Sequence, residues 1–255
     1  MLSKNAVKYY TTLLNKKYRD RERKFIVEGK RLVEEAVKSN FKCEIILMTE
    51  KFLESEETFV EELSNGNRVD TVKEVDINRI SDTQNPQGIL AILEKGKLSF
   101  IFEPKTNLIL AMENISDPGN VGTIFRNADW FGISQVLLSE ECAEVFNPKV
   151  LRASMGSIFH VEFNDNSDFY LELKRLKEDG YKIAVADMNG DNIYQFKKPD
   201  NLVIVLCNET HGPSEKLLEL ADNKITIPKK GKAESLNVAS ASAVILNEFT
   251  KQIAI

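Results

Sequence analysis

Residues 107–132, NLILAMENISDPGNVGTIFRNADWFG, constrain the possible folds of this chain more than any other stretch. Leu108, Ile109, Leu110 and Ala111 form a short apolar run of the kind that fills a buried parallel strand. Asp117, Pro118, Gly119 and Asn120 then make a polar turn. Val121, Ile124, Phe125, Ala128 and Phe131 recur at three- and four-residue spacing, which puts them on one face of a helix. Gly122, Thr123, Arg126 and Trp130 lie off that stripe, and Gly132 is a natural stop. A strand, a tight turn and a helix with one arginine near a glycine describe a ligand-binding corner of an α/β sheet. Within this segment alone, a solvated arginine on an ordinary helix would look the same.

Two further corners follow. LVIVLCNETHG is an apolar strand that opens into Asn208, Glu209, Thr210, His211 and Gly212, with Pro213 and Ser214 leading a helix over 215–221. A carboxylate just beyond a buried strand is poor core filler, because burying it unpaired is costly; Glu209 could pair with Arg126, cap a helix or serve a ligand. KITIPKKGKAESLNVASASAVILNEF gives a strand, a basic loop and a last helix, with Ser235 placed to cap it. Val238, Ser242, Ile245 and Phe249 mark one face of that helix, and Ala239, Ala241 and Ala243 leave it slim enough to pack closely on another helix, within the subunit or across a subunit interface. Further strands are expected at 135–138 and 183–186, and helices at 147–154 and 169–179. His160, between apolar neighbours, reads as packed or hydrogen-bonded rather than catalytic. The succession predicts a mostly parallel sheet covered by helices.

The N-terminal third alternates helices and strands over fewer residues, as a smaller α/β domain would. A helix is expected over 3–16, strands at FIVEG, CEIILMT, 69–72 and 89–93, and helices at 31–38, 52–63 and 75–80. The domains are read as 1–98 and 99–255. KKYRDRERK places six basic residues in 16–24, which reads either as a mobile solvated link or as a phosphate-contacting strip, with Tyr18 able to stack on a base. The net charge of −5 argues against a nucleic-acid partner, but residues 1–40 hold 11 basic and 5 acidic residues, a local +6 that leaves −11 for the rest.

Three cysteines without metal-ligand spacing suggest neither a disulfide framework nor a thiolate metal site, and two histidines exclude a histidine-rich centre. The longest apolar runs are strand-sized, and the N-terminus lacks the apolar core of a signal peptide, so a cytoplasmic protein without a membrane segment is expected.

ENISDPGNVGTIFRNADWFG, LVIVLCNETHGPS and ITIPKKGKAESLNVASASAVIL resemble the three ordered motifs of the SpoU, or TrmH, family of RNA ribose methyltransferases, and VLRASMGSIFHVEF matches family usage between the first two. FIVEGKRLVEEA and QNPQGILAILE resemble the small RNA-binding domain that precedes the catalytic domain in many rRNA-modifying members. The resemblance implies methyl transfer from S-adenosylmethionine to a ribose 2′-hydroxyl, a trefoil knot in the C-terminal domain, a homodimer with active sites at its interface, and no metal. It implies an RNA substrate, ribosomal rather than transfer RNA; the alternatives are a tRNA enzyme, or a non-catalytic RNA-binding or ribosome-assembly protein. By motif match, Arg126 is the catalytic arginine, with Asn120, Glu209, Ser235 and Asn237 completing the catalytic set. Ala186, Asp187, Leu206, Cys207, Asn208, Gly212, Ile227, Leu236 and Asn237 are the implied cofactor contacts, on loops 186–190, 206–212 and 225–237. Cys207 and Thr210 stand where the family commonly has glycine, and Lys230 where proline is common.

Overall fold

A computed structural model describes residues 2–96, 106–165 and 168–251. They divide into two compact units, one drawn from Met1–Leu98 and Phe146–Phe159, the other from Ser99–Val145 and His160–Ile255. The boundary expected near residue 98 lies outside the described residues.

The first unit opens with α1 (Lys4–Thr12) and α2 (Lys16–Glu22) rather than the single helix expected over 3–16. Asn15 is extended, and its side chain accepts from the Lys17 N–H at 2.9 Å, which starts a second helix. Arg19 of α2 is buried and donates to the Leu13 and Leu14 carbonyls at 2.9 and 2.8 Å, satisfying acceptors that the end of α1 leaves open. The basic stretch is therefore a helix rather than an irregular link, with several of its cations engaged within the unit. Arg21 pairs with Glu22, Lys24 with Glu44, and Arg23 donates to the Gly96 carbonyl, while Lys16 and Lys17 are exposed with no partner among the described residues. Tyr18 lies under the Arg21 guanidinium, 4.7 Å from ring centre to Cζ.

Next come β1 (Lys24–Glu28), α3 (Lys30–Lys38), β2 (Cys43–Thr49), α4 (Glu50–Ser55), α5 (Glu57–Ser64), β3 (Val69–Val72), α6 (Glu74–Ile80) and β4 (Ile89–Glu94). The helix expected over 52–63 is split where Glu56 leaves helical geometry at φ −133°, ψ 37°. The sheet order is β1-β4-β2-β3; β4 runs antiparallel to both neighbours, and β2 is parallel to β3. Ile26, Ile45, Leu47, Leu90 and Ile92 pack against Val7, Tyr10 and Leu13.

The second unit begins with β5 (Leu108–Glu113), every residue of which is buried, as a central strand covered on both faces requires. Asp117 caps α7 (Pro118–Trp130) by accepting from the Asn120 N–H at 2.9 Å, with Pro118 in the first helical turn, where its missing N–H costs nothing. The helix buries Val121, Ile124, Phe125 and Ala128 as the spacing predicts, and Gly122 as well. After β6 (Gln135–Leu138) the chain enters Phe146–Phe159, which contains α8 (Pro148–Ser154) and groups with the first unit. There Phe146 meets Phe25 at 4.3 Å between ring centres, Phe159 meets Phe41 at 5.7 Å, and Arg152 pairs with Asp82 at 2.7 Å.

The chain returns as β7 (Glu162–Asn164), α9 (Phe169–Glu178), β8 (Lys182–Asn192), β9 (Leu202–Cys207), α10 (Glu215–Leu220), β10 (Asn223–Thr226) and α11 (Val238–Thr250). The sheet order is β10-β8-β9-β5-β6-β7, and every pairing is parallel. Ile109, Ala111, Ile183, Val185, Val203 and Val205 form a core with Phe169, Leu173 and Leu176 of α9 and Leu217 of α10. Strand alternation turns Leu110 and Met112 to the other face. On α11, Val238, Ala239, Ser242, Ile245, Leu246 and Phe249 are buried, and its small residues serve an internal contact: Asn127 of α7 donates from Nδ2 to the Ala239 carbonyl at 2.9 Å and to Ser242 Oγ at 2.8 Å.

β8 extends further than expected. Its pairing with β10 jumps from Val185↔Lys224 to Asp191↔Ile225, so Ala186–Gly190 stand outside the ladder. A Cβ on Gly190 would lie 2.5 Å from the Ile225 nitrogen, so the close backbone approach admits only glycine there.

Candidate functional site

In a parallel sheet all strands deliver their following loops to one edge, where ligands bind. β5 and β9 end side by side, with Glu113 opposite Cys207, so the turn into α7 and the loop 208–214 start as neighbours. Asn208 organises that loop: its Oδ1 accepts from the Thr210 and His211 N–H groups at 2.8 and 3.2 Å, and its Nδ2 donates to the Asn114 carbonyl at 3.1 Å. Gly212, at φ +65°, donates its N–H to the Asn208 carbonyl at 2.9 Å. The left-handed turn suits glycine.

Three polar side chains from sequence-distant segments meet here. Asn237 Nδ2 donates to Asn120 Oδ1 at 2.9 Å, and Asn120 Nδ2 donates to Glu209 Oε1 at 3.2 Å. Glu209 Oε1 also accepts from the Val238 N–H, which places a carboxylate at the start of α11, where the helix dipole favours negative charge. Of the uses open to Glu209, the structure realises helix capping and the bond to Asn120; no pairing with Arg126 is among its described contacts.

Ser235 does not cap α11. The helix starts at Val238, and Asn237 is the cap, accepting from the Ala239 and Ser240 N–H groups at 3.0 and 3.2 Å. Ser235 lies two residues upstream on an exposed segment, too early for its hydroxyl to meet the second or third N–H of this helix.

Arg126 is exposed on α7, six residues beyond Asn120 and thus about 9 Å along the axis, with no hydrogen bond or ion pair among the described residues. One turn further, Trp130 is 83% exposed. His160 is hydrogen-bonded rather than packed, half-exposed with Nδ1 3.0 Å from Asp129 Oδ2.

Val185 pairs with Val205, so Ala186 and Leu206 are the next residues along their strands. Asp187 accepts from the Asn189 N–H at 2.9 Å and pairs with Lys224 at 3.1 Å. Burial alone would raise its pKa, but the Asn189 N–H, the Lys224 ammonium and the Met188 N–H outweigh it and hold the carboxyl below the usual aspartate range. Leu206 is buried in β9, Ile227 follows β10 half-buried, and Leu236 and Met188 are 51% and 60% exposed. Cys207 packs into the core; burial, and then the adjacent Glu113 charge, push its thiol well above the normal range, so it is an inert filler.

The SpoU rRNA Methylase family model matches residues 107–247, more than half of the chain and all three corners. The chain belongs to the SpoU rRNA methylase family. Residues 4–91 of this SpoU protein match a second family, the MRM3-like substrate binding domain. The 23S rRNA (guanosine(2553)-2′-O)-methyltransferase RlmP of Bacillus subtilis is 32% identical over 94% of each chain. A solved TrmH-family protein of Porphyromonas gingivalis is 33% identical, with a TM-score of 0.85 over 98% of both chains. An AdoMet-bound rRNA methyltransferase from Sinorhizobium meliloti is 28% identical, with a TM-score of 0.85 over 100% of this chain and 97% of its own. The α/β architecture with a helix-flanked parallel sheet is thus that of SpoU methyltransferases.

Two polar residues at this SpoU site are not found by motif reasoning. Asn127 locks α7 to α11, and so fixes Asn120 relative to Asn237. Glu113 is wholly buried at the end of β5. The signal for Glu113 was the one applied to Glu209, a carboxylate closing an apolar run.

Proposed function

We propose that this chain transfers methyl from S-adenosylmethionine to a ribose 2′-hydroxyl of large-subunit ribosomal RNA, in the cytoplasm and as a homodimer. The observation that carries this reading is the bonded triad Asn120–Glu209–Asn237, gathered from three segments at the loop edge of a parallel sheet. The names of the relatives support rRNA and the 2′-hydroxyl, and the AdoMet-bound neighbour supports the cofactor.

The residues suit that cofactor. Ala186–Gly190 leave the pairing with β10 and lie beyond the last pair with β9, which makes backbone groups available to a ligand. Met188 and Leu236 expose apolar surface of the kind an adenine ring covers, and the Asp187 carboxylate is held ionised. Ala186, Asp187, Leu206–Asn208, Gly212, Ile227, Leu236 and Asn237 would hold it. When bound, S-adenosylmethionine supplies an electrophilic methyl group on a sulfonium centre.

Arg126 contributes charge. A guanidinium has five donors, no acceptor and a permanent positive charge, so it clamps an RNA phosphate and stabilises negative charge developing on the 2′-oxygen rather than taking the proton. Asn120 and Asn237 orient the sugar, and Glu209 keeps the start of α11 in register with them. Ser235, exposed on the approach to α11, is free to contact either ligand. The exposed Trp130 one turn from Arg126 supports a subunit interface along this side of α7, the arrangement in which a partner completes the site. The path of β10 to the far side of β8, followed by the return of α11 to α7, is compatible with the trefoil knot.

For the first unit we propose RNA holding, in line with its substrate-binding family match. Its polar cleft, lined by Lys30, Arg31, Glu34, Glu35, Glu56 and Gln87, carries three carboxylates against two cations, and Lys30 is already paired with Glu56. Such a lining suits a polyanion poorly. The exposed Lys16 and Lys17 suit it better.

Incubation of the protein with labelled S-adenosylmethionine and unmodified RNA fractions, followed by digestion to nucleosides, tests the proposal. Label is expected as 2′-O-methylnucleoside from large-subunit rRNA. Label in tRNA alone would transfer the reading to tRNA, and cofactor binding with no label in any fraction would leave an RNA-binding protein.

A further inference from the structure

Glu113 ends β5 completely buried, 0% exposed, and no cation faces it among its described contacts. Neutral donors satisfy it instead. Tyr170 donates its hydroxyl to Oε1 at 2.9 Å, Ser214 donates Oγ–H to the same oxygen, and the Ser214 N–H reaches Oε2 at 3.0 Å. A buried carboxylate without a counter-ion is costly unless it is hydrogen-bonded, and these three bonds engage both of its oxygens.

The position of these bonds gives them a second consequence. The loop 208–214 leaves β9 beside Glu113 and closes at Ser214, which also caps α10 by accepting from the Leu217 N–H at 3.2 Å. Asn114, the residue after β5, in left-handed geometry at φ +57°, holds the start of the loop through its carbonyl and Asn208. The last residue of β5 and the one after it therefore tie the two ends of the loop. Glu209, which bonds Asn120 and the first turn of α11, lies between the ties.

We propose that Glu113 is a positioning residue for the methyl-donor loop: by gripping Ser214 it holds the 208–212 backbone and Glu209 in their working arrangement, without itself touching a ligand. The inference rests on the reading that this loop holds S-adenosylmethionine. The Tyr170 hydroxyl ties α9 to the sheet and lies 3.3 Å from Ser214 Oγ, at the margin of the loop; the two Glu113–Ser214 bonds are the arm that grips the loop directly.

Amide hydrogen exchange of 209–214, together with calorimetric binding of S-adenosylhomocysteine, separates the two arms. Glu113→Gln, whose amide cannot accept from both Ser214 donors and Tyr170, is expected to speed loop exchange and weaken ligand binding by about tenfold each. Ser214→Ala, which removes the hydroxyl bond to Glu113 and the α10 cap but keeps the Ser214 N–H bond to Oε2, is expected to move both in the same direction by a smaller factor, and it stands in if Glu113→Gln does not fold. Tyr170→Phe is expected to stay within about twofold of wild type on both readouts. Wild-type exchange in a folded Glu113→Gln protein, or equal loosening by Tyr170→Phe, would overturn the proposal. A wild-type protein that binds no S-adenosyl ligand would instead count against the methyltransferase reading, and the exchange data would still decide the role of Glu113.

Discussion

The two units use similar materials to different ends. In the first, the sheet is mixed, so loops leave from both ends of its strands, and its charges are spent in local pairs such as Lys30–Glu56, Lys42–Glu94 and Lys95–Asp20. In the second, every strand is parallel, all following loops leave from one edge, and polar side chains from residues 113 to 237 meet there. A parallel sheet concentrates chemistry that a mixed sheet disperses. Both units contain a strand-end carboxylate bracing a polar turn. Glu28 takes the hydroxyls of Ser81 and Thr83 in the first, and Glu113 takes Ser214 in the second, but only the second turn leads to a convergent site.

The contrast can be broken in graded ways. Phe125→Ala, which empties a fully buried position on α7, is expected to destabilise by about 3–5 kcal/mol, read by denaturant unfolding. A loss below about 1 kcal/mol would mean that α7 is not anchored through that face. Asn237→Ala removes the cap of α11 and the bond to Asn120 together; a stability loss of about 1 kcal/mol is expected, with a larger fall in turnover than that loss explains. Reversing Lys16 and Lys17 to glutamate is expected to raise the KM for RNA several-fold, with less effect at high salt, while ligand affinity in the second unit is unchanged. Equal loss of both would tie these lysines to folding.

The smallest effect is electrostatic. The folded-state pKa of Asp187 is depressed, so its stabilising contribution is fully present above the ordinary aspartate value near 3.8 and is lost as pH falls through the lower folded value. Asp187→Asn should lower stability at neutral pH by a few tenths of a kcal/mol, since the group is partly solvated, and the difference from wild type should shrink in acid. A difference that is constant with pH would place the effect elsewhere.

The strands of the second unit were legible because continuous apolar runs such as 108–111 and 202–207 are what doubly covered strands require. The cap of α7 was legible from Asp117 and Pro118. The cap of α11 was not: Ser235 and Asn237 are both good capping types two residues apart, and the bond from Asn237 to Asn120 is invisible until α7 is in place. The break at Asn15 depends on a buried arginine reaching back to two carbonyls, a contact that periodicity over 3–16 does not register. The grouping of Phe146–Phe159 with the first unit rests on aromatic contacts with Phe25 and Phe41, more than a hundred residues away in sequence.

Arg126→Ala bears most directly on the central claim, that a polar cluster at one sheet edge and an unpaired guanidinium further along α7 perform methyl transfer. Single-turnover transfer of labelled methyl to unmodified rRNA is expected to fall by about a hundredfold or more, with unchanged melting temperature and ligand affinity. Transfer at the wild-type rate by a folded Arg126→Ala protein would contradict it.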